Sequence, residues 1–284
     1  MDIIKEIGNN DRYSLHTHTQ FCDGHAPMHE FVDEALAKGF AVLGFTPHSP
    51  VPASVPYGEF GALAGLPPCN MSFESVPLYL QEAERLKREN PGVNILTGME
   101  VEYLGDAWGP THSYFKQLTL DYTIGSVHFV PSFDGRYIDI DGRYDSFERK
   151  MALDFDGDIR YVTETFFSQS QKMVAAGGFD IIGHFDKIKG NGALYYPALE
   201  SEPWYDALVN DLIDSIVAAH LIVEINTKAW EGKRMLFPGQ RYWKRLIQEG
   251  VPIIVNADAH RPTLLNASRV ETLRALDYLR SKMK

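Results

Sequence analysis

The sequence is poor in cysteine, in net positive charge and in long apolar runs, and each scarcity removes a class of function. Two cysteines, Cys22 and Cys69, among 284 residues cannot build a disulfide framework. A formal charge of −11 leaves no basic surface to neutralise the phosphates of a nucleic-acid polymer, so a small-molecule partner fits better than DNA or RNA. No stretch approaches the roughly 18 uncharged apolar residues that a membrane span needs. The opening residues, MDIIKEIGNNDRYS, lack the basic and apolar regions of a signal peptide, and a cytoplasmic, reducing setting is expected. Internal repeats, low-complexity tracts and Gly/Ser linkers are also missing, which favours one barrel spanning residues 1–284. Nothing in the sequence fixes an oligomeric state.

What is present is a regular alternation. Short, largely apolar runs at Tyr13–His18, Ala41–Thr46, Asn94–Val101, Tyr122–His128, Asp180–His184, Leu221–Asn226 and Pro252–Asn256 read as strands covered on both faces. Amphipathic stretches at Pro27–Lys38, Glu74–Asn90, Ile159–Ala176, Pro203–Ala219, Gln240–Glu249 and Ser268–Lys282 read as helices, with Pro27 and Pro203 in first-turn positions. Ser49–Ser72 and Phe129–Asp158 read as long loops on this α/β scaffold.

Six of the ten histidines fall at or just beyond the C-terminal end of a predicted strand: His16, His18, His48, His128, His184 and His260. Asp23, Glu100 and Asp258 share those positions. Residues two apart in a strand point to one face, so His16 with His18, and Asp258 with His260, can act as pairs. Parallel barrel strands bring all their C-terminal ends to one rim, where these nine side chains converge. Imidazole and carboxylate without thiolate is the ligand mixture of Zn, Mn and non-haem Fe. At about four to six positions per ion, with shared carboxylates and solvent, nine ligands suit three divalent ions.

The runs Leu15-His16-Thr17-His18-Thr19, Phe21-Cys22-Asp23-Gly24, Thr46-Pro47-His48, Gly98-Met99-Glu100, Ser126-Val127-His128, Gly183-His184 and Ala257-Asp258-Ala259-His260 resemble, in order, the motifs of the polymerase and histidinol phosphatase (PHP) superfamily. The resemblance runs essentially end to end and is greatest to the monofunctional histidinol-phosphate phosphatases. It implies a distorted (β/α)7 TIM-like barrel of PHP type, with a trinuclear metal site on its C-terminal rim. It also implies that His16, His18, Asp23, His48, Glu100, His128, His184, Asp258 and His260 are the ligands, with Glu100 bridging. The implied reaction is hydrolysis of L-histidinol phosphate to L-histidinol and phosphate, in histidine biosynthesis. A hydroxide on the metals, held by Glu100, His128 and Asp258, would attack phosphorus while another ion neutralises the departing oxygen. Zn is the first expectation for the ions, Mn and Fe the alternatives.

Phosphate also needs cationic side chains, and Arg160, Arg234 and Lys228 are the candidates. Tyr57, Phe60 and Trp230 lie on segments that could line an imidazole pocket, and His25 lies two residues past Asp23. Asp154–Asp158 has the acidity of a calcium loop without its glycine and glutamate, and reads as an acidic loop. Two other functions compete: a PHP phosphoesterase for a different small ester, such as a nucleotide or short oligonucleotide, and a non-catalytic domain that binds metal for stability. Nine ligand-competent positions exceed the four or so that a closed structural zinc site uses.

Overall fold

The computed structural model of the chain describes residues 2–8, 11–55 and 69–283. Four parallel strands come first: β1 (Tyr13–Ser14), β2 (Val42–Phe45), β3 (Asn94–Glu102) and β4 (Tyr122–Ser126). A separate antiparallel hairpin follows, β5 (Phe129–Pro131) with β6 (Tyr137–Asp139). The strands β7 (Ile181–Ile182), β8 (Ile222–Asn226) and β9 (Ile253–Asn256) complete a seven-stranded parallel sheet of order β1-β2-β3-β4-β7-β8-β9. Thr17 bridges Ala259 in parallel and brings the two ends of the sheet together. Below that bridge, side chains take over: Leu15 N donates to Asn256 Oδ1 at 2.9 Å, and Val255 N donates to the Tyr13 hydroxyl at 2.9 Å. The result is a nearly closed, distorted (β/α)7 barrel, the expected fold.

The helices follow their sequence signals. Ile159–Ala176 starts where Asp158 accepts from Tyr161 N, and it turns Val162, Phe166, Phe167, Met173 and Val174 inward. Met28–Ala37, Ser75–Glu89, Pro203–Ala218 and Arg269–Lys282 lie within a residue or two of their expected bounds. Pro203 occupies the first turn, whereas Pro27 is the residue just ahead of its helix. Gln240–Glu249 divides into a 3-10 turn, Gln240–Tyr242, and an α-helix, Trp243–Gln248. No helix among the described residues is long and apolar enough to cross a membrane.

The expectation of a long loop over Phe129–Asp158 is corrected. It contains the β5–β6 hairpin and the helix Tyr144–Asp154. The Asp134-Gly135 pair makes the turn, with Gly135 at φ +82°, between strands too short to show an alternating pattern. Of the segment Ser49–Ser72, residues 56–68, with Tyr57 and Phe60, lie outside the described residues.

Inside the barrel, below the strand ends, Leu15, Val42, Leu96, Tyr122, Ile124, Ile181 and Ile254 form one apolar cluster, joined by Ile3 and Ile7 from the helix ahead of β1. Tyr122 reaches across it and donates its hydroxyl proton to the Leu15 carbonyl at 2.7 Å. Gly44 and Gly98 make room: a Cβ at Gly44 would stand 2.0 Å from the Tyr122 hydroxyl, and one at Gly98 2.8 Å from its ring.

Candidate metal centre

Strand periodicity carries the barrel interior from apolar to polar. On β3 the alternation runs Leu96, Gly98, Glu100, Glu102; on β4 it runs Tyr122, Ile124, Ser126 and on to His128; on β9 it runs Ile254, Asn256 and on to Asp258 and His260. The lower members fill the core beneath Tyr122, and the upper members form the rim. Asp258 holds a left-handed backbone, φ +50°, and its carboxylate accepts from Asn226 Nδ2 at 3.1 Å.

The structure brings all nine expected residues together. Their ligand atoms form four overlapping groups, each within 4.8 Å: His18, Asp23, His48 and His260; His16, His18 and Asp258; His16, Glu100 and His184; His48, Glu100 and His128. Glu100 stands at the middle. Its Oε2 lies 3.3, 3.4 and 3.0 Å from nitrogens of His16, His18 and His48, and its Oε1 lies 3.0 and 3.6 Å from those of His184 and His128. His260 Nε2 is 3.1 Å from Asp23 Oδ2. Four of these buried atoms, His16 Nε2, His18 Nε2, Asp23 Oδ1 and Glu100 Oε2, have no hydrogen-bond partner among the described residues. Buried polar atoms left unpaired are costly, and here they point at one another across gaps that a divalent cation fits.

A second layer orients the first. Glu224 Oε1 lies 2.7 Å from His16 Nδ1, and Glu102 Oε2 lies 2.7 Å from His128 Nδ1. A carboxylate on Nδ1 places the proton there and turns the Nε2 lone pair inward. Ser126 donates to Glu100 Oε1 at 2.7 Å, and Asn256 donates to Glu224 Oε1 at 3.0 Å. Burial opposes a charge on His128, but Glu102 and Glu100 outweigh it and raise the ring's pKa to about 9. Burial, joined by nearby Lys187, pushes His184 down to about 4. Sequence reading missed Glu102 and Glu224. The available signal was a charged residue within an apolar barrel strand, at an i+2 position from Glu100 in the first case.

Beside the cluster lies a cavity of about 330 Å³ whose lining includes Asp23, Cys69, Asp141, Lys187, Lys228 and Phe237. A larger open cleft along the helix Arg269–Lys282 shares no residue with it. Of the three basic candidates, Lys228 is placed against the cluster, its Nζ 3.3 Å from Asp258 Oδ1 and 3.2 Å from His260 Nε2. Arg160 instead pairs with Glu164 at 2.7 Å and lies over Trp204, while exposed Arg234 lies over Trp230. Lys187, which sequence reading passed over, is buried and pairs with Asp141 at 3.1 Å. Cys22 Sγ lies 3.4 Å from His18 Nδ1, and burial and Asp23 push its thiol far up, against any nucleophilic role. His25 is exposed, its backbone N bonded to the His260 carbonyl at 2.8 Å.

The PHP domain family matches residues 14–228 of the chain. The chain belongs to the PHP family. Asp258 and His260 lie past the matched stretch, on the segment that closes the barrel. A histidinol-phosphatase of Bacillus subtilis (strain 168) is 29% identical over 268 residues, covering 87% of this PHP chain and 92% of its own. Among solved structures, HisK of Listeria monocytogenes superposes with a TM-score of 0.79 at 16% identity, over 91% of this chain and 99% of that one. The histidinol phosphate phosphatase HisK of Lactococcus lactis, solved with zinc, L-histidinol and phosphate, gives a TM-score of 0.62 at 16% identity over 95% and 94%.

Proposed function

We propose that this PHP barrel is a metal-dependent phosphomonoesterase that hydrolyses L-histidinol phosphate to L-histidinol and inorganic phosphate. The observation that carries the proposal is the convergence of His16, His18, Asp23, His48, Glu100, His128, His184, Asp258 and His260, four of whose buried atoms have no hydrogen-bond partner among the described residues. The name of the Bacillus relative and the contents of the Lactococcus structure support the substrate and the use of metal. In this reading the nine residues hold three divalent ions, with zinc first among them. The whole of residues 1–284 acts as one domain, since the last strand supplies Asp258 and His260 and pairs with β8. The scarcity of cysteine supports a cytoplasmic enzyme.

Ions held there would supply Lewis-acid neutralisation of the phosphate dianion and would lower the pKa of water towards neutrality. The protein supplies orientation. Glu100 offers one oxygen to the His128–His184 side and the other to the side of His16, His18 and His48, so it would help to hold ions on both sides. Glu224 and Glu102 fix the imidazole tautomers. Lys228, with Lys187 deeper in the cavity, brings ammonium charge to the non-bridging phosphate oxygens. Arg160 and Arg234 have other partners, Glu164 and Trp230, and we assign the grip to the lysines.

A substrate panel tests this. The specificity constant for L-histidinol phosphate should exceed that for mononucleotides by about 100-fold or more. Preference for a mononucleotide would replace the histidinol reading with the nucleotide one.

A further inference from the structure

The cavity contains a carboxylate that phosphate cleavage does not require. Asp141 follows β6 in a segment clamped on three sides. Ile140 N donates to the His128 carbonyl at 2.9 Å, and Asn191 Nδ2 donates to the carbonyls of Ile140 and Gly142 at 3.3 Å each. The segment is therefore tied directly to the backbone of a candidate metal ligand. Its neighbour Asp139 has both oxygens engaged, Oδ2 by Lys150 Nζ at 2.8 Å and Oδ1 by Asp141 N at 2.7 Å. Asp141 differs. Its Oδ2 pairs with Lys187, its Oδ1 has no hydrogen-bond partner among the described residues, and its side chain is a quarter exposed, on the cavity wall. Although burial opposes it, the Lys187 ammonium keeps Asp141 ionised, below the usual carboxylate range.

We propose that Asp141 is a specificity residue that receives an ammonium group of the substrate, so that the site selects phosphomonoesters bearing an amine on the carbon next to the ester carbon. This rests on the phosphatase reading and names what that site recognises besides phosphate. A 2-aminoalkyl phosphate carries a dianion and, two carbons from the ester oxygen, a cation. One cavity wall holds partners for both charges: Lys228, which touches the cluster at Asp258, and Lys187 for the dianion, with the Asp141 carboxylate beside Lys187 for the cation. A bound phosphate competes for the Lys187 ammonium, and the substrate ammonium replaces it on Asp141, so one buried ion pair is exchanged for two. A nucleoside monophosphate carries no such ammonium and leaves Asp141 without its second partner.

The test compares L-histidinol phosphate with its deamino analogue, 3-(imidazol-4-yl)propyl phosphate, in metal-loaded wild type, Asp141→Asn and Asp141→Glu. Wild type should favour the amine by about 10- to 100-fold in kcat/KM. In Asp141→Asn that ratio should collapse towards one, chiefly through a raised KM for L-histidinol phosphate, and Asp141→Glu should recover part of it. A parallel loss on both esters in Asp141→Asn, with the ratio kept, would mean a structural role and overturn the proposal. So would a wild type indifferent to the amine. Wild type that cleaves phenyl phosphate but neither imidazole ester would instead overturn the histidinol-phosphate reading on which the proposal stands.

Discussion

Below Glu100 the barrel interior is closed by Tyr122, Leu15, Leu96 and Ile254, and Tyr122's hydroxyl has its partner in the Leu15 carbonyl. At the rim the same strands present Glu100, His128 and Asp258, and among the described residues Glu100 Oε2 and the Nε2 atoms of His16 and His18 are buried without a hydrogen-bond partner. The lower layer is optimised for folding: apolar, filled, its close approaches bought with Gly44 and Gly98. The upper layer is not. It concentrates polar atoms that would weaken a metal-free protein, and it is stable to the extent that something else binds there. Strand periodicity makes the switch abrupt, because two residues along a strand separate a core position from a candidate ligand position.

Substitutions should separate the two layers. The largest effect is expected from Glu100→Gln, which removes the charge shared by both sides of the cluster. Phosphatase activity should fall by well over about 100-fold, beyond what loss of an outer partner causes, while circular dichroism stays that of wild type. Substituting the outer partners by Glu102→Gln or Glu224→Gln should cost about 10- to 100-fold in metal affinity, read by competition with a chelator. In the lower layer, Gly44→Ala drives a Cβ against the Tyr122 hydroxyl. It should lose about 1–3 kcal/mol of stability to denaturant with metal affinity retained. If Gly44→Ala weakened metal binding as much as Glu102→Gln, the separation of layers would fail.

The smallest effect is on pH. In the metal-free protein the carboxylates around His128 outweigh burial and raise its pKa from 6.5 to about 9. The charged ring therefore contributes stability that is fully present below about pH 6.5 and is lost as pH rises through about 9. His16 is raised in the same sense: burial opposes the charge, and Glu224, Glu100 and Asp258 favour it. Metal binding needs both rings neutral, so metal affinity should rise over the window in which metal-free stability falls. Denaturation midpoints of chelator-treated protein at about pH 6 and pH 9, beside metal titrations at the same values, check this. Midpoints that rise with pH would contradict the sign.

Much of this was legible in the sequence because of where it lies. Strands covered on both faces read as unbroken apolar runs, so all seven barrel strands were found, and a histidine or carboxylate ending such a run is conspicuous. Glu102 and Glu224 were not found. Attention to strand ends favours histidines, and Glu224 sits inside β8, where only its charge against Ile222, Val223 and Ile225 marks it. The β5–β6 hairpin is hidden by its three-residue strands. The amphipathic pattern places Arg160 in the first turn of the helix Ile159–Ala176 without telling that it pairs along the helix with Glu164, and Arg234 falls at the end of a four-residue helix too short to leave a pattern.

The central claim is that the rim cluster holds the ions that make this barrel a histidinol-phosphate phosphatase. Its most direct test is phosphate release from L-histidinol phosphate by protein stripped with a chelator and reloaded separately with Zn, Mn or Fe. Activity should vanish on stripping and return with metal. Release that persists undiminished in metal-free protein, or that returns with none of the three ions, would contradict the account.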